Sequence, residues 1–133
     1  MDVRVSIEDE ENSRRLESLR HWIGGTAELK GRVNDVTALP PPGTLGPFLE
    51  SIVVALGSGA AGTAFASALL SWVRQQSGAV KVRLDLPDGR QIQVDATQVK
   101  ALSAAELREQ VASVLRELRE AEEKHDQERT ADE

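Results

Sequence analysis

The two histidines, His21 and His125, are the side chains best suited by type to bind a metal ion or to transfer protons near neutral pH. Neither stands at the spacing from other ligand residues that a zinc site requires. His21 lies about two positions away from the apolar stripe of a predicted helix, and His125 lies in a charged C-terminal stretch. We therefore interpret both as surface residues and expect no metal site.

The glycine-rich stretch from Gly57 to Gly62 is the second place where chemistry could occur, because glycines can frame a nucleophilic serine or surround a phosphate. Ser58 lacks the glycines two residues to each side that a nucleophile elbow needs. The stretch also lacks the Lys-Ser/Thr pair of a phosphate-binding loop, and no strand is predicted before it. We predict that the protein is not an enzyme and that it has no catalytic residues and no cofactor.

The overall composition excludes further classes of function. The chain has 133 residues, a formal net charge of −6, no cysteine and only 3% aromatic residues. An acidic chain without a basic stripe is unsuited to nucleic acid, and the lack of cysteine excludes thiolate metal sites and disulfides. The N-terminal residues do not have the pattern of a secretory signal. A cytoplasmic location is therefore expected, with membrane association left open.

Alternating apolar and polar residues predict the strands, because a period of two gives one apolar face. The alternation occurs at residues 3–7, 80–86 and 92–96, and the last two runs flank an Asp-Gly turn that is typical of a hairpin. Residues 31–39 predict one further strand, with a bulge or an edge position where Asn34 and Asp35 break the alternation.

Helical spacing predicts the remaining elements. Leu16, Leu19 and Ile23 form the apolar stripe of a first helix that ends at Gly24-Gly25. Ser103 and Glu106 form a capping box at the start of the last helix, which continues into a charged tail.

The middle of the chain, residues 51–73, carries no charged side chain and is the feature on which the functional interpretation depends. We predict that it forms two helices joined at the glycine-rich corner and buried against protein. A transmembrane helix and a hairpin that inserts into a membrane only after assembly remain alternatives. The candidate helix-packing and interaction residues are Ala55, Gly59, Gly62, Ala66, Leu69 and Trp72.

These elements predict an α+β fold with β-α-β-α-α-β-β-α order, in which a small mixed sheet of four strands packs with a Gly/Ala-rich helical hairpin. Residues 1–118 are predicted to form one domain, and residues 119–133 a charged helical extension and frayed tail.

The segments LESLRHWI, ELKGRV, PPPGTLG, LLSWV and VKVRLDLPDGRQIQVDA, in this order, resemble the bacterial effector-associated constant component one family. The resemblance covers about residues 3–118. It implies a non-enzymatic adaptor or scaffold of a bacterial conflict (immunity-like) system that self-associates or couples effectors. The implied partners are effector proteins such as peptidases or nucleotide-binding switch proteins. The alternative function is a membrane-inserting or membrane-anchored protein that acts through residues 45–76.

Overall fold

The helices and strands follow the hydrophobic pattern of the chain in most places and depart from it in the middle. The structure, a computed structural model, describes residues 1–8, 12–38, 48–56 and 60–131. The elements in chain order are β1 (Asp2–Glu8), α1 (Asn12–Gly24), a 3₁₀ turn (Ala27–Leu29), β2 (Val33–Ala38), β3 (Phe48–Ala55), α2 (Ala60–Gln75), β4 (Lys81–Asp85), β5 (Gln91–Asp95), α3 (Ala96–Lys100) and α4 (Ala104–Ala131).

The strands form one sheet with the order β2-β3-β1-β4-β5, and every neighbouring pair is antiparallel. The predicted α+β class is confirmed. The described part of the chain contains five strands instead of the predicted four, and the sheet is antiparallel where a mixed sheet was predicted. The fifth strand is β3, which lies between β2 and β1.

The prediction of a helical hairpin is wrong in its first half, because β3 occupies the segment expected to be its first helix. Ile52 and Val54 are fully buried, whereas Val53 and Ala55 between and after them are half-buried, which is the period of a strand. Ile52 pairs with Val5 of β1 on one side and with Asp35 of β2 on the other. The β-branched run at 52–54 suits this central position.

The uncharged run is therefore divided between a strand and a helix. This arrangement excludes the single spanning helix over residues 51–73 that was one alternative. Of the helices in the described ranges, α2 is apolar but has only 16 residues, and α4 has 28 residues but is highly charged. None of them combines the length and the hydropathy needed to cross a membrane.

Several local predictions are confirmed. The turn between β4 and β5 has Gly89 at a φ of 91°, which favours glycine, and Leu86 N donates to Arg90 O at 2.9 Å. The capping box at the start of α4 is formed by the Ser103 hydroxyl, which accepts from Glu106 N at 3.2 Å. Strand β2 lies at the sheet edge, which was one of the two expected alternatives. Its register shifts between Val36 and Thr37, and the pairing is regular at Asn34 and Asp35, where a bulge was the other alternative.

The core lies between one face of the sheet and the helices. The predicted apolar stripe of α1 is fully buried there, together with the inward residues of β1, β4 and β5. In α4 the buried positions end at Ala121 among the side chains that the structure describes, and the helical backbone continues to Ala131. The boundary proposed after residue 118 stays a prediction.

Candidate interaction surface

Helices α1 and α2 lie antiparallel to each other, and a series of hydrogen bonds joins them along their length. The indole nitrogen of Trp72 donates to the Ser18 hydroxyl at 3.2 Å, and one turn further the indole nitrogen of Trp22 donates to the Ala68 carbonyl at 3.1 Å. At the other end, Arg15 donates to the side chain of Gln76 at 3.1 Å. These bonds hold the side chain of Trp22 beside the middle of α2.

The inward side of α2 carries its large apolar residues. Phe65, Leu69 and Trp72 are at most 2% exposed and belong to the core. The outward side carries only small residues without charge from the first residue of the helix to Ser71. We call this surface the α2 face, and it comprises Ala60, Thr63, Ala64, Ser67, Ala68 and Ser71.

A wide groove runs along one flank of the α2 face, between α2 and the end of α1. It encloses about 660 Å³. Trp22 forms one wall and is 40% exposed, the only exposed large hydrophobic residue in the described part of the chain. Thr26, Glu28, Ser67 and Ser71 also line it. We call it the Trp22 groove.

A second groove runs along the opposite flank, between α2 and α4, and encloses about 220 Å³. Leu107 and Val111 of α4 form its apolar wall, and Arg108 stands beside them. Ser67 and Ser71 line this groove as well, so the two grooves adjoin at these two residues. We call it the Arg108 groove.

The six candidate residues from the sequence occupy different environments. Ala66, Leu69 and Trp72 are buried within this chain. Gly62 faces α4, and a Cβ added to it would lie 3.4 Å from Leu115 Cδ1. Ala55 is half-buried on β3, and Gly59 lies outside the described residues. That these residues contact another molecule stays a prediction.

The exposed counterparts on α2 were missed by the sequence reasoning. Ser67 and Ser71 alternate with the buried Leu69 and Trp72 at helical spacing, so the period of the helix predicts an outward stripe once α2 is accepted as a surface helix. Trp22 directly precedes Ile23, which belongs to the buried apolar stripe of α1, and Trp22 itself lies outside that stripe. This position was the available signal for an exposed aromatic residue.

The polar chemistry of the described residues is limited. His21 is exposed at the Trp22 groove, while the side chain of His125 lies outside the described positions. Within the described ranges, no group of three or more His, Asp or Glu residues could hold a metal ion.

One expectation about the glycine-rich stretch is wrong, since β3 does precede it; α2 begins within the stretch, at Ala60. The stretch still lacks the Lys-Ser/Thr pair that a phosphate-binding loop requires.

The β4–β5 hairpin is tied to α4 by an ion pair. Arg90 Nη1 donates to Glu120 Oε2 at 2.8 Å, and Arg90 Nε lies 3.0 Å from Asp88 Oδ2. The hydrogen bond to Glu120 raises the pKa of Arg90 above its ordinary value.

The comparisons with known proteins give one match. No curated protein and no solved structure matches the chain. A family model described as Effector Associated Constant Component 1 matches residues 8–127, which is most of the chain and includes both grooves. The chain therefore belongs to this family, whose members are components of bacterial effector-associated systems.

Proposed function

We propose that the protein is a non-enzymatic adaptor of a bacterial conflict system and that it joins other proteins through the α2 face. The observation that supports this most directly is the continuous uncharged surface of the α2 face on a chain in which 29% of residues are charged. Family membership supports the association with effectors.

The chemistry of the α2 face suits protein association. Ala64, Ser67 and Ser71 have short side chains, which allow another backbone to come close and have little side-chain entropy to lose. No charge has to be removed from water along this surface, and the cores of protein interfaces are depleted in charged residues. Trp22 supplies the large aromatic group that interfaces use as an energetic anchor.

The partners in this proposal are effector proteins, such as peptidases or nucleotide-binding switch proteins, and other copies of the chain. The proposed location is the cytoplasm. The role needs no reaction at the surface itself, because an adaptor raises the local concentration of the proteins that it binds.

The test is a binding measurement with the effector protein encoded beside this chain in its genome. We expect the purified effector to bind the wild-type chain and to bind the variant Ser67→Arg at least tenfold more weakly, because a guanidinium at the centre of the α2 face would have to be desolvated.

The matched control is Ser113→Arg, which places the same group at an exposed helical serine that lines neither groove. Equal binding of both variants and the wild type would contradict the α2 face as the contact. The absence of binding to any neighbouring effector would contradict the adaptor role.

A further inference from the structure

A polar pocket lies on the face of the sheet that points away from the core. Arg4 and Ser6 of β1 alternate with the buried Val3 and Val5, so their side chains project from the opposite face. The pocket encloses about 230 Å³ and we call it the sheet pocket. Its lining residues are all polar or charged, and they are Arg4, Ser6, Glu50, Ser51, Arg83 and Asp85. This size and lining suit a ligand that is small and hydrophilic, because the pockets that bind drug-sized molecules are larger and mostly apolar.

The register of β1 and β4 brings two guanidinium groups to the sheet pocket. Arg4 pairs with Asp85 and Ser6 pairs with Arg83, so the two arginines are diagonal neighbours and both adjoin Ser6. Arg4 Nε donates to the hydroxyl of Ser51, a residue that is only 1% exposed, at 2.9 Å. This bond orients the Arg4 guanidinium. Its terminal nitrogens form no hydrogen bond or ion pair within the described residues.

A β-bulge adds a carboxylate to the same pocket. Val36 of β2 pairs with Ser51 and Thr37 pairs with Leu49, which leaves Glu50 as the extra residue of β3. Successive residues of a regular strand point to opposite faces, yet Glu50 and Ser51 both line the sheet pocket. In the part of the chain that the structure describes, the Glu50 side chain forms no ion pair. The pocket therefore contains a cation and an anion that do not neutralise each other.

Two buried polar atoms of the pocket residues lack a hydrogen-bond partner. The Ser6 hydroxyl oxygen and Arg83 Nε are shielded from solvent, and neither is hydrogen-bonded in the described ranges. Asp85 Oδ1 lies 3.7 Å from Arg83 Nε, which is too far for a hydrogen bond. Buried polar groups are nearly always satisfied in folded proteins, and a ligand is one source of the missing partner. The Arg83 side chain is 42% exposed, so it can rotate toward a ligand.

We propose that the sheet pocket binds a small zwitterion, an amino acid with free α-amino and α-carboxylate groups. The ligand carboxylate binds between Arg4 and Arg83, because the planar guanidinium fork matches two carboxylate oxygens. The Ser6 hydroxyl donates to the same carboxylate, and the ligand ammonium group binds Glu50. The site lies on the other face of the sheet from α2, so this inference is independent of the proposed function.

The balance of charge selects a zwitterion over a simple anion. Two arginines and two carboxylates, those of Glu50 and Asp85, line the pocket, so their formal charges cancel. An anion would gain from the arginines but would be repelled by both carboxylates, and the higher charge of a phosphate would increase that repulsion. A ligand with one charge of each sign can place each charge against its opposite.

The test is a titration of the full chain with L-serine, followed by the amide signals in two-dimensional NMR. The amides of β1, β3 and β4 are expected to shift, with a dissociation constant of about 1 mM because partly exposed ion pairs are weak. N-acetyl-L-serine lacks the ammonium group and L-serinamide lacks the carboxylate. Each of them, and inorganic phosphate, is expected to bind about fivefold more weakly than L-serine.

Two variants assign the two ends of the ligand. Arg4→Gln is expected to weaken the binding of L-serine about fivefold and to leave that of L-serinamide unchanged. Glu50→Gln is expected to weaken L-serine by a similar factor without weakening N-acetyl-L-serine, which has no ammonium group for Glu50 to bind. The controls Arg14→Gln and Glu109→Gln make the same changes at exposed helical residues outside the pocket and are expected to have no effect.

The amide spectrum of each variant also shows whether the fold is retained. If Arg4→Gln unfolds, Arg4→Lys takes its place, since lysine keeps the charge but lacks the planar fork and is likewise expected to weaken L-serine. N-acetyl-L-serine or phosphate binding as tightly as L-serine would overturn the proposed ligand class. The absence of shifts in β1, β3 and β4 up to about 50 mM L-serine, far above the expected dissociation constant, would overturn the site. Neither result bears on the adaptor role, which effector binding to the α2 face tests separately.

Discussion

The indole nitrogen of Trp72 donates a hydrogen bond to the hydroxyl of Ser18, 3.2 Å away, at the contact between α1 and α2. Trp72 is 2% exposed, so the only polar atom of its side chain is satisfied by a residue of the neighbouring helix and not by bulk water. This bond aligns the two helices, and the alignment brings Trp22 beside the α2 face. The shape of the candidate interaction surface thus depends on a contact inside the chain.

Ser18→Ala is expected to lower the free energy of unfolding by about 1 kcal/mol, because it leaves the indole N–H of Trp72 without its protein partner. Urea unfolding followed by tryptophan fluorescence measures the change. Ser113→Ala, at an exposed serine of α4, is the control and is expected to change the free energy by much less. In a Trp72→Phe background the effect of Ser18→Ala should vanish; an unchanged effect there would show that the bond is not its source.

Ile52→Ala and Val53→Ala are expected to differ strongly, because these neighbours point to opposite faces of β3. Ile52 is fully buried, and its truncation is expected to cost about 2–4 kcal/mol. Val53 is half-buried on the other face, and its truncation is expected to cost clearly less. Chemical denaturation of the two variants is the measurement. Similar costs would indicate that both residues lie on one apolar stripe, as a helix would require.

Gly62→Ala is expected to raise the stability by up to ~1 kcal/mol, because alanine is the better helix former in the first turns of α2. The added Cβ would lie 3.4 Å from Leu115 Cδ1, which is an ordinary contact. Gly62→Leu adds more than this space admits and is expected to destabilise the contact between α2 and α4. Thermal unfolding of the two variants should therefore show shifts of opposite sign; a loss of stability with alanine would contradict the observed packing.

Glu120→Lys is expected to loosen the contact between α4 and the β4–β5 hairpin, since it replaces the acceptor of Arg90 with a like charge. Hydrogen exchange of the amides in α4 measures the effect. The side chains of Arg90 and Glu120 are 43% and 51% exposed, so salt screens their interaction. The difference in exchange rates between the variant and wild type should therefore shrink at high salt. A difference that does not depend on salt would indicate that packing, and not charge, is disturbed.

The contribution of Arg90 to stability is expected to be independent of pH in the neutral range. Its pKa is raised above the ordinary value in the folded chain, mainly by the hydrogen bond to Glu120. A raised pKa adds stability that is complete below the unfolded value and is lost only as the pH rises through the folded one. Loss of stability at neutral pH must therefore originate elsewhere.

Much of the fold can be read from short-range patterns. The alternation in β1, β4 and β5, the stripe of α1 and the capping box at Ser103 each depend on residues a few positions apart, so their structure follows from local geometry. Of the candidate residues from the sequence, Ala66, Leu69 and Trp72 lie on the buried side of α2, whereas the surface that we propose lies on its exposed side. Helical spacing shows that α2 has two sides, but it does not show which of them meets the core.

The amino-acid sequence by itself determined the α+β class, the family, most of the elements and the uncharged middle of the chain. Only the tertiary structure decided that residues 48–55 are a strand, because their apolar residues satisfy both a helical period and a strand period. The strand is selected because β1 and β2 each offer an edge of unpaired backbone groups, and β3 pairs with both. The exposed position of Ser67 and Ser71 was likewise decided by the helices that flank α2, whose placement depends on contacts between residues distant in the chain.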